Sequence, residues 1–424
     1  MISVKITKPI YIRKGPGKSH DYLATISPNG TILQMDGWVA GESLKGNCNW
    51  YYKVNDNGDK QYYWAGGVGV LEDSASLAPP NSPTVTALPK AAVDGSSFMA
   101  RVNEFISDGS QTRFHNGSGN QDNWRVSWGH VDLEIWKIWR DKNVTGKGVR
   151  IAVFDTGVLT TSNDLNAEGK IDPVNSYYPN DGTAIVTDMD TENNSYHGTR
   201  SAGLIAANGS NVNTVYGVAP GAELIIYKVM DTHGGDISDN NFSNMLTRAI
   251  RAQAHIISIS LELYTQSPTL QTNLEACRKA GIFVVAASGD GNGDENGPVN
   301  VIPASLDTVF SVGAYHLDNN QSKYFSAESL YNNKMSFLCP GENVLTTGPS
   351  SAPVPHNYTS AATAFAAGTL ALALEYARTT GKAFTPDTLQ RLLPDACLLD
   401  DGTKGRNDKQ GYGILYPSKL LSLL

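Results

Sequence analysis

The chain has 424 residues, of which 40% are hydrophobic and only 17% charged, with 41 glycines and a net charge of −8. That length allows two or three domains with a sizeable core, and the composition excludes a disordered acidic chain, a coiled coil and a collagen-like fibre. A net negative charge supplies no field to hold nucleic acid or anionic lipid, so neither is expected as a partner.

Residues 1–72 read as short strands broken by turn signals. Ile10-Tyr11-Ile12, Trp50 to Val54 and Gln61 to Trp64 carry strand formers, and Gly15-Pro16-Gly17, Pro28-Asn29-Gly30 and Asn57-Gly58 punctuate them. Residues 73–128 form a connecting segment, rich in Pro, Ala and Ser over 73–95, with a helix expected near Ser96–Ile106. Residues 129–424 then alternate apolar strands with amphipathic helices. The strands are Val149–Phe154, Leu224–Val229, Ile256–Ser260 and Ile282–Ala287; the helices include Asn240–Ala252 and Leu270–Lys279. This pattern predicts an α/β fold, a mostly parallel sheet covered by helices on both faces, with active residues at the carboxyl ends of strands.

Cys48, Cys277, Cys339 and Cys397 lie far apart and show no metal-binding spacing, so free thiols are expected. Met1 to Lys8 lacks the apolar core of an export signal, and no run reaches the roughly 18 apolar residues of a membrane span. A cytoplasmic location without membrane contact is the expectation.

Three segments carry chemistry. Asp155 follows an apolar strand in Phe154-Asp155-Thr156-Gly157, where a carboxylate emerges as the chain turns. His197 opens Tyr196-His197-Gly198-Thr199, whose small residues let a helix start close against other backbone. Ser360 precedes Ala361 to Leu372, whose Ala and Leu density describes a buried helix; a helix amino terminus favours negative charge developing on an attacking oxygen. Taken alone, each also has a structural reading, Ser360 as a helix cap and His197 as a core histidine.

In this order and context the three segments resemble the subtilases, the serine peptidases of the subtilisin and kexin superfamily. The resemblance runs from about Ile135 to Leu420 and includes Gly146-Lys147-Gly148-Val149, Gly217-Val218-Ala219-Pro220 and Gly411-Tyr412-Gly413. It implies a serine endopeptidase acting on a protein or peptide substrate, with Ser360 as nucleophile, His197 as base and then acid, and Asp155 orienting the imidazole. It aligns Asp290 with the family's oxyanion-hole Asn, a role that a carboxyl fills only when protonated; Asn292 is the competing candidate. It makes Ser260, Leu261 and Glu262 one substrate-binding edge and Ala287, Ser288 and Gly289 the other. Glu262, with Asp294 and Glu295, would favour basic side chains in the substrate, or all three are solvated. Asp164, Asn211, Asn213 and Val215 resemble the family's structural calcium site, while catalysis needs no cofactor. Asp188, Asp190 and Glu192 read as a solvated acidic loop.

Two departures stand beside the nucleophile: Tyr358 where the family has Gly, and Ala364 where it has Pro. They support an alternative, a weak or inactive peptide-binding scaffold. Residues 1–72 resemble a bacterial SH3-like domain, a small barrel that in that family binds peptides, cell-wall fragments or its own catalytic partner, or simply packs. An intramolecular contact with the peptidase that regulates its groove is one expectation from this. The segment Ser96–Gly129 is too short for the prosegment of exported subtilases, so unaided folding is expected.

Overall fold

The computed structural model describes residues 126–424 apart from 160–163, 166–168, 180–187, 189–195, 210–214, 231–238, 264–266, 292–297, 319–320 and 350–352. Before residue 126 it describes 2–6, 10–14, 22–26, 32–44, 47–55, 59–64, 68–71 and 84–85. The expected helix at Ser96–Ile106 and the turns at 15–17, 28–30 and 57–58 lie outside these residues. The chain divides into two units: Met1–Lys90 with Pro173–Ile185, and Ala91–Asp172 with Val186–Leu424.

The first unit is built of strands: β1 (Ile2–Ile6), β2 (Ile10–Arg13), β3 (Tyr22–Ile26), β4 (Ile32–Met35), β5 (Gly37–Leu44), β6 (Asn47–Val54), β7 (Lys60–Trp64), β8 (Val68–Leu71) and β9 (Thr84–Val85). One sheet has the order β4-β1-β8-β9 and the other β3-β2-β7-β6-β5. Aromatic pairs oppose each other across β6 and β7: Tyr51 faces Tyr63 and Tyr52 faces Tyr62. Such cross-strand pairs stabilise a sheet, and Trp50, Tyr51 and Tyr63 are buried. The Pro-rich stretch contributes β9, whose Thr84 pairs in parallel with Val70 of β8.

The second unit begins, among its described residues, with helices α1 (Trp128–Asp132) and α2 (Ile135–Lys142). Its sheet contains β10 (Arg150–Asp155), β11 (Glu223–Lys228), β12 (Ile256–Ile259), β13 (Phe283–Ala287), β14 (Phe310–Leu317), β15 (Lys323–Phe325), β16 (Met335–Pro340), β19 (Cys397–Leu398) and β20 (Ile414–Leu415). The hairpin of β17 (Val344–Thr347) and β18 (Pro353–His356) stands apart. Around the sheet run α3 (His197–Ala206), α4 (Asp239–Arg251), α5 (Pro268–Lys279), α6 (Tyr358–Thr379), α7 (Pro386–Ala396) and α8 (Pro417–Leu423).

The sheet order is β11-β10-β12-β13-β14-β16-β20-β19, with β15 on β14. Pairs from β11 through β20 are parallel, while β15 and β19 join antiparallel. The central strands are apolar along their whole length because helices cover both faces, as the sequence pattern predicts. β10 pairs with β11 on one side and β12 on the other, so the chain reverses its direction of winding beside β10. Open parallel sheets form their clefts at the carboxyl ends flanking such a reversal, and here those ends are Asp155 and the segment after Ile259.

Helix α5 starts two residues earlier than its apolar pattern suggests. Ser267 caps it by accepting the Leu270 N–H at 3.1 Å, and Pro268 takes the first turn, where a missing N–H costs nothing. Helix α6 is buried over nearly its whole length and packs on α3, β12, β13, β14 and β16. Ala364 is buried inside it, and with no proline there the helix continues unbroken to Thr379. Farther along, Glu375 gathers the backbone N–H groups of Thr145, Gly146 and Lys147 at 2.6, 2.6 and 2.9 Å, which ties α6 to the turn that feeds β10. Cys277, Cys339 and Cys397 are buried free thiols, as expected; the Cys48 side chain lies outside the description.

Candidate active site

Asp155 is the last residue of β10 and is fully buried. Its Oδ1 accepts the Thr156 N–H at 2.8 Å and lies 2.7 Å from His197 Nδ1. His197 is the first residue of α3, entered through Tyr196 in the left-handed conformation. The two segments approach this closely because of Gly198: a Cβ there would stand 2.1 Å from the Gly157 carbonyl oxygen. The glycine after the histidine is therefore a condition of the Asp155–His197 pair.

Thr156 organises the layer behind that pair. Its hydroxyl donates to Asp188 at 3.0 Å and accepts the Gly198 N–H at 2.9 Å, and its carbonyl accepts from Lys228 Nζ at 2.9 Å. Asp188 in turn accepts the Thr199 N–H and hydroxyl at 2.9 and 2.6 Å. Lys228, opposite Asp155 in the parallel register, is buried, as both carboxylates are. The solvated reading of Asp188 is thus wrong: it is 4% exposed and clamps the turns that carry Asp155 and His197 together, while Asp190 and Glu192 lie outside the described residues. Its clearest signal in the sequence was the threonine in each of Asp155-Thr156-Gly157 and His197-Gly198-Thr199.

Ser360 is the third residue of α6 and buried; Asn357 occupies the cap position, so Ser360 does not serve as the cap. Helix α6 packs against α3, and four residues before Ser360 the His356 ring meets the His197 ring edge-on at 5.1 Å. His356 is fixed by Ser201, 3.1 Å away. Tyr358 has φ +63° and is 42% exposed, so a bulky side chain holds a conformation that favours glycine.

Asp290 meets this helix from the segment that follows β13. Its Oδ1 accepts both the backbone N–H and the hydroxyl of Thr359, at 3.0 and 2.6 Å. Burial pushes the Asp290 carboxyl up to about 6; the Thr359 hydrogen bonds pull it down, the Glu262 charge raises it and His197 lowers it. The Asp290 N–H donates to Glu262 Oε1 at 2.9 Å. On the other edge, Ser260 Oγ donates to the Ser360 carbonyl at 3.3 Å.

The remaining sequence-derived residues separate clearly. Leu261 and Ala287 are buried, and Ser288 is fully buried with its hydroxyl donated to the Leu330 carbonyl at 2.8 Å. Gly289 lies beside Glu262. Asn292, Asp294 and Glu295 lie outside the described residues, as do Asn211 and Asn213 of the calcium set. Asp164 is buried, accepts the Thr347 hydroxyl at 2.9 Å and provides counter-charge to Lys170, whose ammonium burial pushes down to about 7. Val215 is buried. Among the described residues, one such carboxylate does not furnish the oxygen shell a calcium ion takes, and no group of three or more metal-ligating side chains occurs. No described helix is long and apolar enough to cross a membrane.

The family model described as the subtilase family matches residues 146–413. The Major intracellular serine protease of Bacillus subtilis (strain 168) is 34% identical over 264 residues, which cover 62% of this chain and 76% of that protein. Subtilisin Savinase of Lederbergia lenta is 34% identical over 232 residues, 55% of this chain and 78% of that one. Among solved structures, fervidolysin from Fervidobacterium pennivorans, a keratinolytic enzyme related to subtilisin, superposes with a TM-score of 0.58 at 21% identity, over 70% of this chain and 45% of that one. MycP1 without its N-terminal propeptide gives 0.54 at 24% identity, over 69% and 96%. These two likenesses speak for the fold, a subtilisin-like parallel sheet flanked by helices. With its family model spanning well over half of the sequence, the chain belongs to the subtilase family of serine proteases.

Proposed function

We propose that the chain hydrolyses peptide bonds in a protein substrate through Asp155, His197 and Ser360, and the observation that carries this is the 2.7 Å contact between Asp155 Oδ1 and His197 Nδ1. With its Nδ1 proton donated to Asp155, the imidazole keeps Nε2 as its basic nitrogen. Ser360 Oγ attacks the peptide carbonyl as Nε2 takes the hydroxyl proton; Asp155 stabilises the resulting imidazolium. The tetrahedral intermediate collapses, the C–N bond breaks and Nε2 returns the proton to the leaving amine. Water then repeats the sequence on the acyl-enzyme.

Asp290 takes the oxyanion role in this reading. Thr359 occupies Oδ1 with two donors, so a proton added to the carboxyl goes to Oδ2, where it can be donated to a developing oxyanion. Ser260 to Glu262 and Ala287 to Gly289 are the two edges that hold the peptide, Ala287 and Ser288 through backbone alone. A location in the cytoplasm is supported by relatives named as intracellular serine proteases in Bacillus subtilis and Paenibacillus polymyxa. Residues 1–72 are assigned as an SH3-like domain that selects a partner or regulates the groove, and deleting residues 1–95 should change activity on protein but not on short peptides. Calcium at Asp164, Asn211, Asn213 and Val215 takes part in no step.

The test is a fluorophosphonate probe, which reacts with an activated serine. Labelling that Ser360→Ala abolishes, together with cleavage of a peptide library, is the expected result. Peptide binding without labelling would favour a scaffold, the reading to which Tyr358, strained beside Ser360, also points.

A further inference from the structure

The segments leaving β12 and β13 lie side by side at the carboxyl edge of the sheet, and both are tied to the first turn of α6. Ser260 binds the Ser360 carbonyl, and Asp290 binds Thr359. Between them sits Glu262. Its Oε1 accepts the Asp290 N–H, and it lies 3.0 Å from where a Cβ on Gly289 would stand. Val301 Cγ2 and Leu330 Cδ1 approach the same point at 2.7 and 3.1 Å, so the carboxylate stands against apolar surface.

A carboxylate can accept about four hydrogen bonds. Among the described residues Glu262 accepts one, from a neutral donor, and no lysine, arginine or histidine pairs with it. By contrast Asp155, Asp172 and Asp132 each have a cationic or imidazole partner. The side chain is partly exposed, so a ligand can reach it.

We propose that Glu262 makes this site select lysine or arginine at the substrate residue whose carbonyl Ser360 attacks. The inference rests on the reading of Ser360 as nucleophile. The aliphatic stem of either side chain lies along Val301 and Leu330 while its cationic head completes the lone pairs of Glu262. An acidic side chain is repelled by Glu262, and a neutral one leaves the carboxylate without its ion pair.

The experiment uses the full chain and peptide amides that differ only at that residue, carrying Arg, Lys, Phe, Ala or Glu. Arg and Lys peptides should exceed Phe and Ala peptides in kcat/KM by about 10-fold or more. Glu262→Gln should reduce the Arg-to-Ala ratio about 10-fold, and Glu262→Lys should raise the Glu-to-Arg ratio. Equal or better cleavage of Phe or Ala peptides by the native chain, or a ratio that Glu262→Gln leaves in place, overturns the proposal while the nucleophile reading stands. Calorimetric binding of the same peptides to the Ser360→Ala chain reads the preference without chemistry. If Ser360 takes no fluorophosphonate and no peptide is cut, the nucleophile reading fails, and tighter binding of Arg than Ala peptides upholds the selectivity while equal binding ends it.

Discussion

Asp290 Oδ1 holds both the backbone N–H and the hydroxyl of Thr359, the residue immediately before Ser360. A side chain from the segment after β13 thereby satisfies part of the amino terminus of α6, a helix whose own cap residue, Asn357, makes no side-chain cap bond. In the proposed mechanism the group at the oxyanion position thus also anchors the helix that carries the nucleophile. A change at Asp290 should therefore act on both activity and stability.

The Asp290 carboxyl, raised by burial to about 6, predicts an unusual pH profile. His197 must be neutral to act as base, which sets the acid limb. Asp290 must be protonated to donate, so kcat/KM should fall as pH rises above about 6. Asp290→Asn supplies a donor at every pH and should remove this fall, raising kcat/KM at pH 8 about 10-fold or more. Stability follows the same group. A carboxyl whose folded pKa is raised favours the folded state fully below its unfolded value near 4, and that contribution is lost as pH rises through about 6. At pH 8 the loss is of the order of 2–3 kcal/mol, so thermal melts of the native chain should decline between pH 5 and 7 relative to Asp290→Asn. Slower cleavage of every peptide by Asp290→Asn, at every pH, would rule out the donor role.

Gly198→Ala tests the approach of the turns that carry Asp155 and His197. A methyl group 2.1 Å from the Gly157 oxygen forces α3 away from β10, and overpacking of this kind costs about 1–3 kcal/mol. A displacement near 1 Å at a reacting group costs about 10²-fold in rate. The expected result is a fall of that size in kcat with KM nearly unchanged, and a fluorophosphonate reaction slowed in parallel, in protein that still folds by circular dichroism.

How much of this was legible follows from what each feature depends on. The strands at β10, β11, β12 and β13 are continuous apolar runs, and burial on both faces leaves that mark in sequence. β14 and β16 carry Gly313, His316 and Pro340, which interrupt the run, and neither was read as a strand. Asp155, His197 and Ser360 are singled out as candidates by short local patterns. Asp188 was misread because its partners, Thr156 and Thr199, are hydroxyls 32 and 11 residues away, while its neighbours in sequence are acidic. The left-handed backbone at Tyr196 likewise has no signal in a residue type that ordinarily avoids it.

Glu375 offers a test of the fold apart from the catalytic groups. One carboxylate oxygen accepts three backbone N–H groups in the Thr145-Gly146-Lys147 turn. Glu375→Ala leaves those donors without their partner and should destabilise the protein by about 2–3 kcal/mol, since hydrogen bonds to charged groups contribute about 1.5–3 kcal/mol. Glu375→Gln keeps an acceptor oxygen and should lose less than half as much. Denaturant midpoints at constant slope would measure both, and equal losses for the two variants would show that packing, rather than the carboxylate, holds the turn.

Tyr358 places a bulky side chain at φ +63° directly before Thr359 and Ser360, with the ring 42% exposed. A left-handed backbone costs a residue with a Cβ about 1–2 kcal/mol, and an exposed ring recovers little of that through packing. Glycine relieves the strain but gives back roughly 0.5–1 kcal/mol through the greater freedom of the unfolded chain. Tyr358→Gly should therefore stabilise the protein slightly, by about 0.5–1 kcal/mol, which shifts the melting point upward by a few degrees. Strain kept beside the proposed nucleophile points to a use for the ring, and its exposure leaves it open to a substrate bound at Ser360. Peptides extended past the scissile bond should then lose more kcat/KM in Tyr358→Gly than short amide substrates do, while Tyr358→Phe keeps the difference small. If the variant is more stable and cuts long and short substrates with unchanged preference, the tyrosine is a strained residue without a part in the reaction.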